Sequence, residues 1–381
     1  MIYLDNAATT YPKPKCVIDS VVKAIKKYGA NPGRSGYNMA IETAEKIYES
    51  REAAGRFFNV DKPENIVFTP NCTAALNICI KSLASKGKSF VCSSLEHNAV
   101  MRPLERLKND NVCEYKIAQI DPENDNNTVK NFDSLINDKT AAVIVAAASN
   151  VTGYIMPVKR ISQVCKKHNV PLVVDGAQAS GIIPLDCKEL GIDYLCVAAH
   201  KGLYSALGTG ILVINSDIIP KPLFEGGTGS NSLSLIQPEY LPDKLESGTM
   251  NTSGIISVKN GIDFVNKTGS GNIYSHEYSL MKLLEQELKN MKNITVYSSF
   301  ADNKPLVPVL SFNVNGVNSE VVSEYLSQNG VCVRAGYHCS PLAHKSMGTI
   351  EYGAVRISPS IFTKKSDIYF TINCINKLQN K

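Results

Sequence analysis

An α/β architecture, with a mainly parallel doubly wound sheet in a large domain and a smaller α+β C-terminal domain, is the fold class that this sequence predicts. Three observations predict it. Short β-branched runs alternate with helical patterns from residue 66 to 214, as strands alternate with crossover helices. Residues 141–148 are small and apolar almost without interruption, which suits a strand covered on both faces. From about residue 260 the character changes, and at 381 residues the chain exceeds the size at which one hydrophobic core stops growing. We expect an amino-terminal arm over 1–15, a large domain over 16–258 and a small domain over 259–381.

The arm follows from Pro12 and Pro14, which block a helix there. Residues 17–28 have helical periodicity and stop before Gly29, 31–36 form a turn-rich loop carrying Arg34, and 41–58 form a second amphipathic helix. A strand over 66–69 then leads into a helix over 73–84. Strand, tight loop and helix start together make an anion site, because the first amides of a helix lack intrahelical partners. The amides of Cys72 and Thr73 and the Thr73 hydroxyl are its donors; a simple N-cap is the plain alternative for Thr73.

The next strand, 90–93, is followed by Glu96, His97 and Asn98, and the 141–148 strand ends at Ser149 and Asn150. A helix over 159–168 returns the chain to a β-branched run ending at Asp175 and Gly176. A further apolar run over 194–199 ends at His200 and Lys201. An acid and an amine therefore emerge at the carboxyl edge of the sheet, where open α/β folds bind ligands. The pair suits pyridoxal phosphate, whose aldehyde takes a lysine amine and whose ring nitrogen needs a carboxylate to stay protonated. Taken singly, the two residues also read as a structural aspartate and a solvated lysine.

Residues 222–254 are rich in Gly, Ser, Pro and Thr and lose periodicity, as functional or disordered loops do. Beyond them we expect a helix over 276–291, a strand over 307–314, a helix over 318–329 and strands over 331–334 and 352–358. Arg334 and Arg356 then flank a loop bearing Cys339. Guanidinium forks pair carboxylates in two bonds, so this group suits an amino-acid carboxylate beside a nucleophile.

Composition excludes several function classes. Forty basic and thirty-five acidic side chains give a net charge of +5 with the lysines dispersed, so no footprint for nucleic acid is present. No apolar run approaches the roughly 20 residues that cross a bilayer, and no apolar signal core follows Met1. With eleven cysteines, several of them in apolar runs, reduced core thiols of a cytoplasmic protein are expected. Cys332, His338, Cys339 and His344 match no compact metal-ligand spacing, so no metal is expected. Gly208 and Gly210 lack the third glycine of a dinucleotide loop.

Eight stretches carry a family resemblance: YLDNAAT at 3–9, FTPNCTAALN at 68–77, EHN at 96–98, SNVTG at 149–153, DGAQ at 175–178, HK at 200–201, ESGT at 246–249 and RAGYHC at 334–339. In this order the chain resembles the class V aminotransferase-like, fold-type I pyridoxal-phosphate proteins, in particular the group II cysteine desulfurases and selenocysteine lyases. The resemblance implies pyridoxal 5'-phosphate tethered by Lys201 beside His200, with His97 stacked on the ring and Asp175 at its nitrogen. It further implies Asn150 and Gln178 at the phenolate oxygen, and phosphate on Cys72 and Thr73.

Gly248 and Thr249 would reach the phosphate of a second subunit, which implies a homodimer with shared sites. Asn6, Ala7 and Ala8 would line the substrate pocket, with Arg356 on the substrate carboxylate and Arg334 in support. Cys339 would swing over the cofactor, take sulfur from L-cysteine as a persulfide, release L-alanine and pass the sulfur to an acceptor protein. His338 and Arg334 would favour its thiolate. L-selenocysteine as substrate, or a cofactor-poor scaffold in sulfur transfer, are the alternatives. Three features depart from the family: Ala198 stands where a phosphate-binding hydroxyl is usual, Tyr337 replaces a histidine, and the glycine pattern after Lys201 differs.

Overall fold

The computed structural model describes residues 1–32, 36–300 and 305–379; Arg34 lies outside them. Its strands are β1 (Ile2–Tyr3), β2 (Ile66–Thr69), β3 (Lys88–Ser93), β4 (Cys113–Ala118), β5 (Thr140–Ala146), β6 (Leu172–Asp175), β7 (Tyr194–Ala198), β8 (Gly210–Ile214), β9 (Ile294–Val296), β10 (Leu310–Val314), β11 (Val331–Cys332) and β12 (Val355–Ile357).

Successive side chains on the central strands enter two different cores. Val143 and Val145 of β5, Leu172 and Val174 of β6, and Leu195 and Val197 of β7 share one core. Ala142, Ile144, Val173, Tyr194 and Cys196, their alternates, share the other. A sheet with apolar groups on both faces must be covered on both. The helix Cys72–Leu83 lies against β7 and β8 and places Leu76 and Cys79 in the second core. The helix Val158–Lys167 sends Ile161 and Cys165 into the first.

The strand order is β2-β8-β7-β6-β5-β3-β4. Neighbours from β7 through β4 run parallel, whereas β8 is antiparallel to both β7 and β2. The reversal has a physical cause: residues 199–209 contain no helix, and a parallel return needs a long crossover.

A separate antiparallel sheet has the order β12-β10-β9. The expected strand over 331–334 is shorter than predicted: β11 ends at Cys332 because its backbone pairs in parallel with β1, and Arg334 bridges Arg356 instead. The arm is thus fastened to the later residues, with Asp5 also bridging Ser358. The helix expected from 276 begins at Ser270, directly after Gly269, whose φ of 85° ends the preceding helix. That preceding helix, Thr252–Thr268, is continuous through residues 258 and 259 and packs on the helices Lys15–Lys27 and Asn38–Phe58.

Candidate active site

Asp175 closes β6 and pairs in register with Cys196 of β7, so the chain leaving β7 reaches Lys201 at the same sheet edge. The turn after it is possible only without a side chain at 202: a Cβ on Gly202 would stand 2.1 Å from the Ser180 carbonyl. Arm residues fasten this turn further. Thr10 Oγ1 donates to the Lys201 carbonyl at 2.9 Å, and Lys13 Nζ donates to the His200 carbonyl at 2.6 Å. Asp175, Lys201, Cys72, Thr73, His97, Asn150, Gln178 and His200 all line one cavity. The sequence motifs scattered over residues 72–201 therefore converge in space.

Burial pushes the Lys201 amine below the ordinary lysine range, with Asp175 pulling the other way. A shift in that direction favours the free amine, the form that attacks an aldehyde. Burial also lowers His97, whose Nδ1 accepts the Ala99 amide at 3.0 Å, and takes His200 down to about 4. His200 Nδ1 lies 3.0 Å from the Thr9 hydroxyl. Asp175 Oδ1 accepts the Ala177 amide at 2.9 Å and the Cys72 thiol at 3.4 Å. Burial holds that thiol well above its usual range, so it stays protonated and donates.

Asn71, rather than Thr73, caps the helix, its side chain accepting the Ala74 amide at 2.9 Å. The amides of Cys72 and Thr73 thus precede the first intrahelical bond, and Thr73 is exposed on the cavity side. Ala198, where a hydroxyl was missed in the sequence, also lines the cavity.

Several predicted residues engage the protein itself. Gln178 Nε2 donates to the Ala7 carbonyl at 3.0 Å. Asn6 donates to the Ser358 carbonyl and accepts the Tyr11 amide, both at 3.0 Å. Asn6 and Ala7 line a small adjoining cavity with Lys201 and Gln178; Ala8 lines neither. Arg356 is buried, with Nη2 2.7 Å from Asp5 and Nη1 donating to the Asn150 carbonyl at 3.1 Å. Gly248 and Thr249 are exposed and stand outside the Lys201 cavity.

The Cys339 loop is hydrogen-bonded to its surroundings on both sides of the thiol. Asn98 donates its amide to the Cys339 carbonyl at 2.7 Å, and Asn150 Nδ2 donates to the His338 carbonyl at 2.8 Å. Arg334 Nη2 lies 3.5 Å from Cys339 Sγ. His338 stacks on His344 and is driven down to about 2, chiefly by burial and then by Arg356. A neutral imidazole cannot stabilise a thiolate by charge, so His338 does not supply the charge expected of it.

Sequence reading missed four partners: the Cys72 thiol on Asp175, Asp5 on Arg356, Ser340 on Asn150, and Glu246 on Arg51. The last is a buried two-bond ion pair, with both N–O distances 2.8 Å, and Glu246 Oε1 also accepts the Phe68 amide. An arginine at an inward position of the 41–58 helix was the available signal, since a buried guanidinium demands a carboxylate.

An amine and a carboxylate meeting in one cavity at the edge of a mainly parallel sheet define the fold-type I transferase architecture. The chain belongs to the class-V aminotransferase family, whose model matches residues 2–369. A protein named probable cysteine desulfurase from Methanothermobacter thermautotrophicus is 31% identical over 96% of this chain and 92% of its own length. A relative of the same name from Borreliella burgdorferi is 30% identical over 97% of this chain and 89% of its own length. Among solved structures, the apo cysteine desulfurase of Thermococcus onnurineus NA1 superposes with a TM-score of 0.91 at 28% identity, covering 100% of this chain and 94% of the other.

Proposed function

We propose that this chain is a pyridoxal 5'-phosphate-dependent cysteine desulfurase that transfers the sulfur of L-cysteine to Cys339 and releases L-alanine. One observation carries the reading: a thiol 3.5 Å from a guanidinium sits on a loop hydrogen-bonded to Asn150, a residue of the cavity that holds Lys201 and Asp175. An aminotransferase has no use for that thiol. The matching relatives are named probable cysteine desulfurases, which supports the same assignment.

The donor set fits the cofactor. Lys201 offers an amine lowered by burial, Asp175 a carboxylate for a ring nitrogen, His97 an aromatic face, and the helix start two amides for a phosphate. When bound, pyridoxal phosphate supplies an electron-accepting ring that labilises bonds to the amino-acid carbon. Lys201 holds it and moves the substrate α-proton, while Asn150, Gln178, His200, Cys72 and Thr73 position it. Arg356 takes the substrate carboxylate with Arg334 in support, in a pocket closed by Asn6 and Ala7; Ala8, expected there too, lines neither cavity. Arg356 Nε, a buried donor without a hydrogen-bond partner among the described residues, supports that role.

Cys339 then forms an S–S bond to the substrate sulfur as the C–S bond breaks. The electron pair stays on the carbon fragment, which is protonated and leaves as L-alanine. A sulfur-acceptor protein removes the persulfide sulfur. L-selenocysteine would follow the same route.

In this reading residues 16–258 carry the cofactor and 259–381 the thiol loop, in a cytoplasmic homodimer whose Gly248 and Thr249 serve the neighbouring site. The exposure of Leu233, Leu235 and Ile236, in the same irregular segment, supports a second copy as their cover. No helix among the described residues is long and apolar enough to cross a membrane.

The test is alanine release from L-cysteine and L-selenocysteine by the native protein, Cys339→Ala and Lys201→Ala. Loss of the thiol should abolish cysteine turnover and spare the visible absorption of bound cofactor, whereas loss of the amine should remove both. Undiminished cysteine turnover by Cys339→Ala would overturn the assignment.

A further inference from the structure

We propose that Ser340 is a positioning residue for the Cys339 thiol, acting through Asn150. Ser340 is fully buried and its hydroxyl donates to Asn150 Oδ1 at 2.7 Å. The other end of the same amide, Nδ2, donates to the His338 carbonyl at 2.8 Å. One side chain therefore grips the residues on both sides of Cys339, while the Asn98 amide takes the carbonyl of Cys339 itself at 2.7 Å.

The backbone shows why such a grip is needed. His338 and Cys339 have φ of 49° and 57°, the left-handed region that residues with a Cβ avoid. Two successive side-chain-bearing residues stay there only where the surroundings over-determine the conformation. Asn150 can impose it because it follows the central strand β5 in a turn of its own, where Ser149 Oγ accepts the amides of Val151 and Thr152 at 3.2 and 3.1 Å. The grip runs from the sheet to the loop, and its outcome is a thiol held 3.5 Å from Arg334 Nη2. Without the Ser340 hydroxyl, Asn150 Oδ1 loses its donor in a buried place, and the loop loses one of the two bonds that join it to the Asn150 side chain.

The kinetic arm of the test rests on the desulfurase reading; the labelling arm does not. Native protein and Ser340→Ala are treated with iodoacetamide, and labelling of Cys339 is followed by peptide mass spectrometry. Exposed Cys16 is the internal reference and buried Cys79 the reporter of general loosening. We expect the Cys339-to-Cys16 labelling rate to rise about fivefold in Ser340→Ala, the factor supplied by one ordinary hydrogen bond, with Cys79 still protected. With pyridoxal phosphate and L-cysteine, kcat should fall by a similar factor while KM stays put. If Ser340→Ala does not fold, Asn150→Asp, which keeps the acceptor for Ser340 and loses the donor to His338, is labelled in the same way with the same expected direction. A native labelling ratio in the variant, or Cys79 labelling in step with Cys339, sinks the proposal. Absence of alanine from the native protein refutes the desulfurase reading and leaves the labelling result standing.

Discussion

The thiol of Cys72 lies 3.4 Å from Asp175 Oδ1, the same oxygen that accepts the Ala177 amide. Two donors on one oxygen fix the rotation of the carboxylate. Cys72→Ala removes one of them, and affinity for pyridoxal phosphate should fall by about fivefold, the worth of a single hydrogen bond. Cys72→Ser retains a donor and should stay within about twofold of native. Absorbance titration of the cofactor-free proteins reads both, and equal affinities for native and Cys72→Ala would remove the thiol from any role in setting Asp175.

Glu246 and Arg51 are 5% exposed each and share two bonds. Glu246→Ala strands a buried guanidinium, so we expect it to cost about 3–5 kcal/mol of stability. Replacing both partners, Arg51→Met with Glu246→Leu, should cost much less, because no unpaired charge remains. Urea unfolding measures both, and a double variant as unstable as the single one would show that the pair's worth is not electrostatic.

That pair also shows how far the sequence could be read. Strand ends at Asp175 and near Lys201 were legible because β-branched runs mark buried strands and both runs stop at the chemistry. The Cys339 loop was legible through its neighbours Arg334 and His338. What remained hidden were contacts between residues far apart in the chain, such as Arg51 with Glu246 and Asn150 with Ser340. No periodicity encodes a partner across such a separation. The neutrality of His338 was hidden for the same reason, since it follows from stacking on His344 inside a buried pocket and not from local spelling.

His338 should make the protein acid-sensitive. Its folded value, about 2, lies below the ordinary 6.5, and His344 is lowered to about 4. Below 6.5 the unfolded chain binds protons that the native state refuses, so the stability present above that value is lost as pH falls. Each histidine contributes at most roughly 1.4 kcal/mol per pH unit. The urea midpoint of His338→Gln should therefore fall less steeply than native between pH 6.5 and 5, and parallel slopes would contradict a neutral buried imidazole.

Ala198 lines the Lys201 cavity without offering a hydrogen bond from its side chain. Ala198→Ser adds a hydroxyl where a phosphate is proposed to sit, and a bond to a charged acceptor should tighten cofactor binding by roughly tenfold or more. Dialysis of loaded protein reads this as slower bleaching, and unchanged retention would place the phosphate elsewhere.

The pairing of Ile2 and Tyr3 with Val331 and Cys332, and of Asp5 with Ser358 and Arg356, has a consequence for assembly. Segments more than 320 residues apart must meet before Arg356 has its counter-charge, so this part of the site closes only through contacts of very high sequence separation. A polypeptide still being synthesised cannot complete it until β12 has left the ribosome, however early the central sheet begins to form.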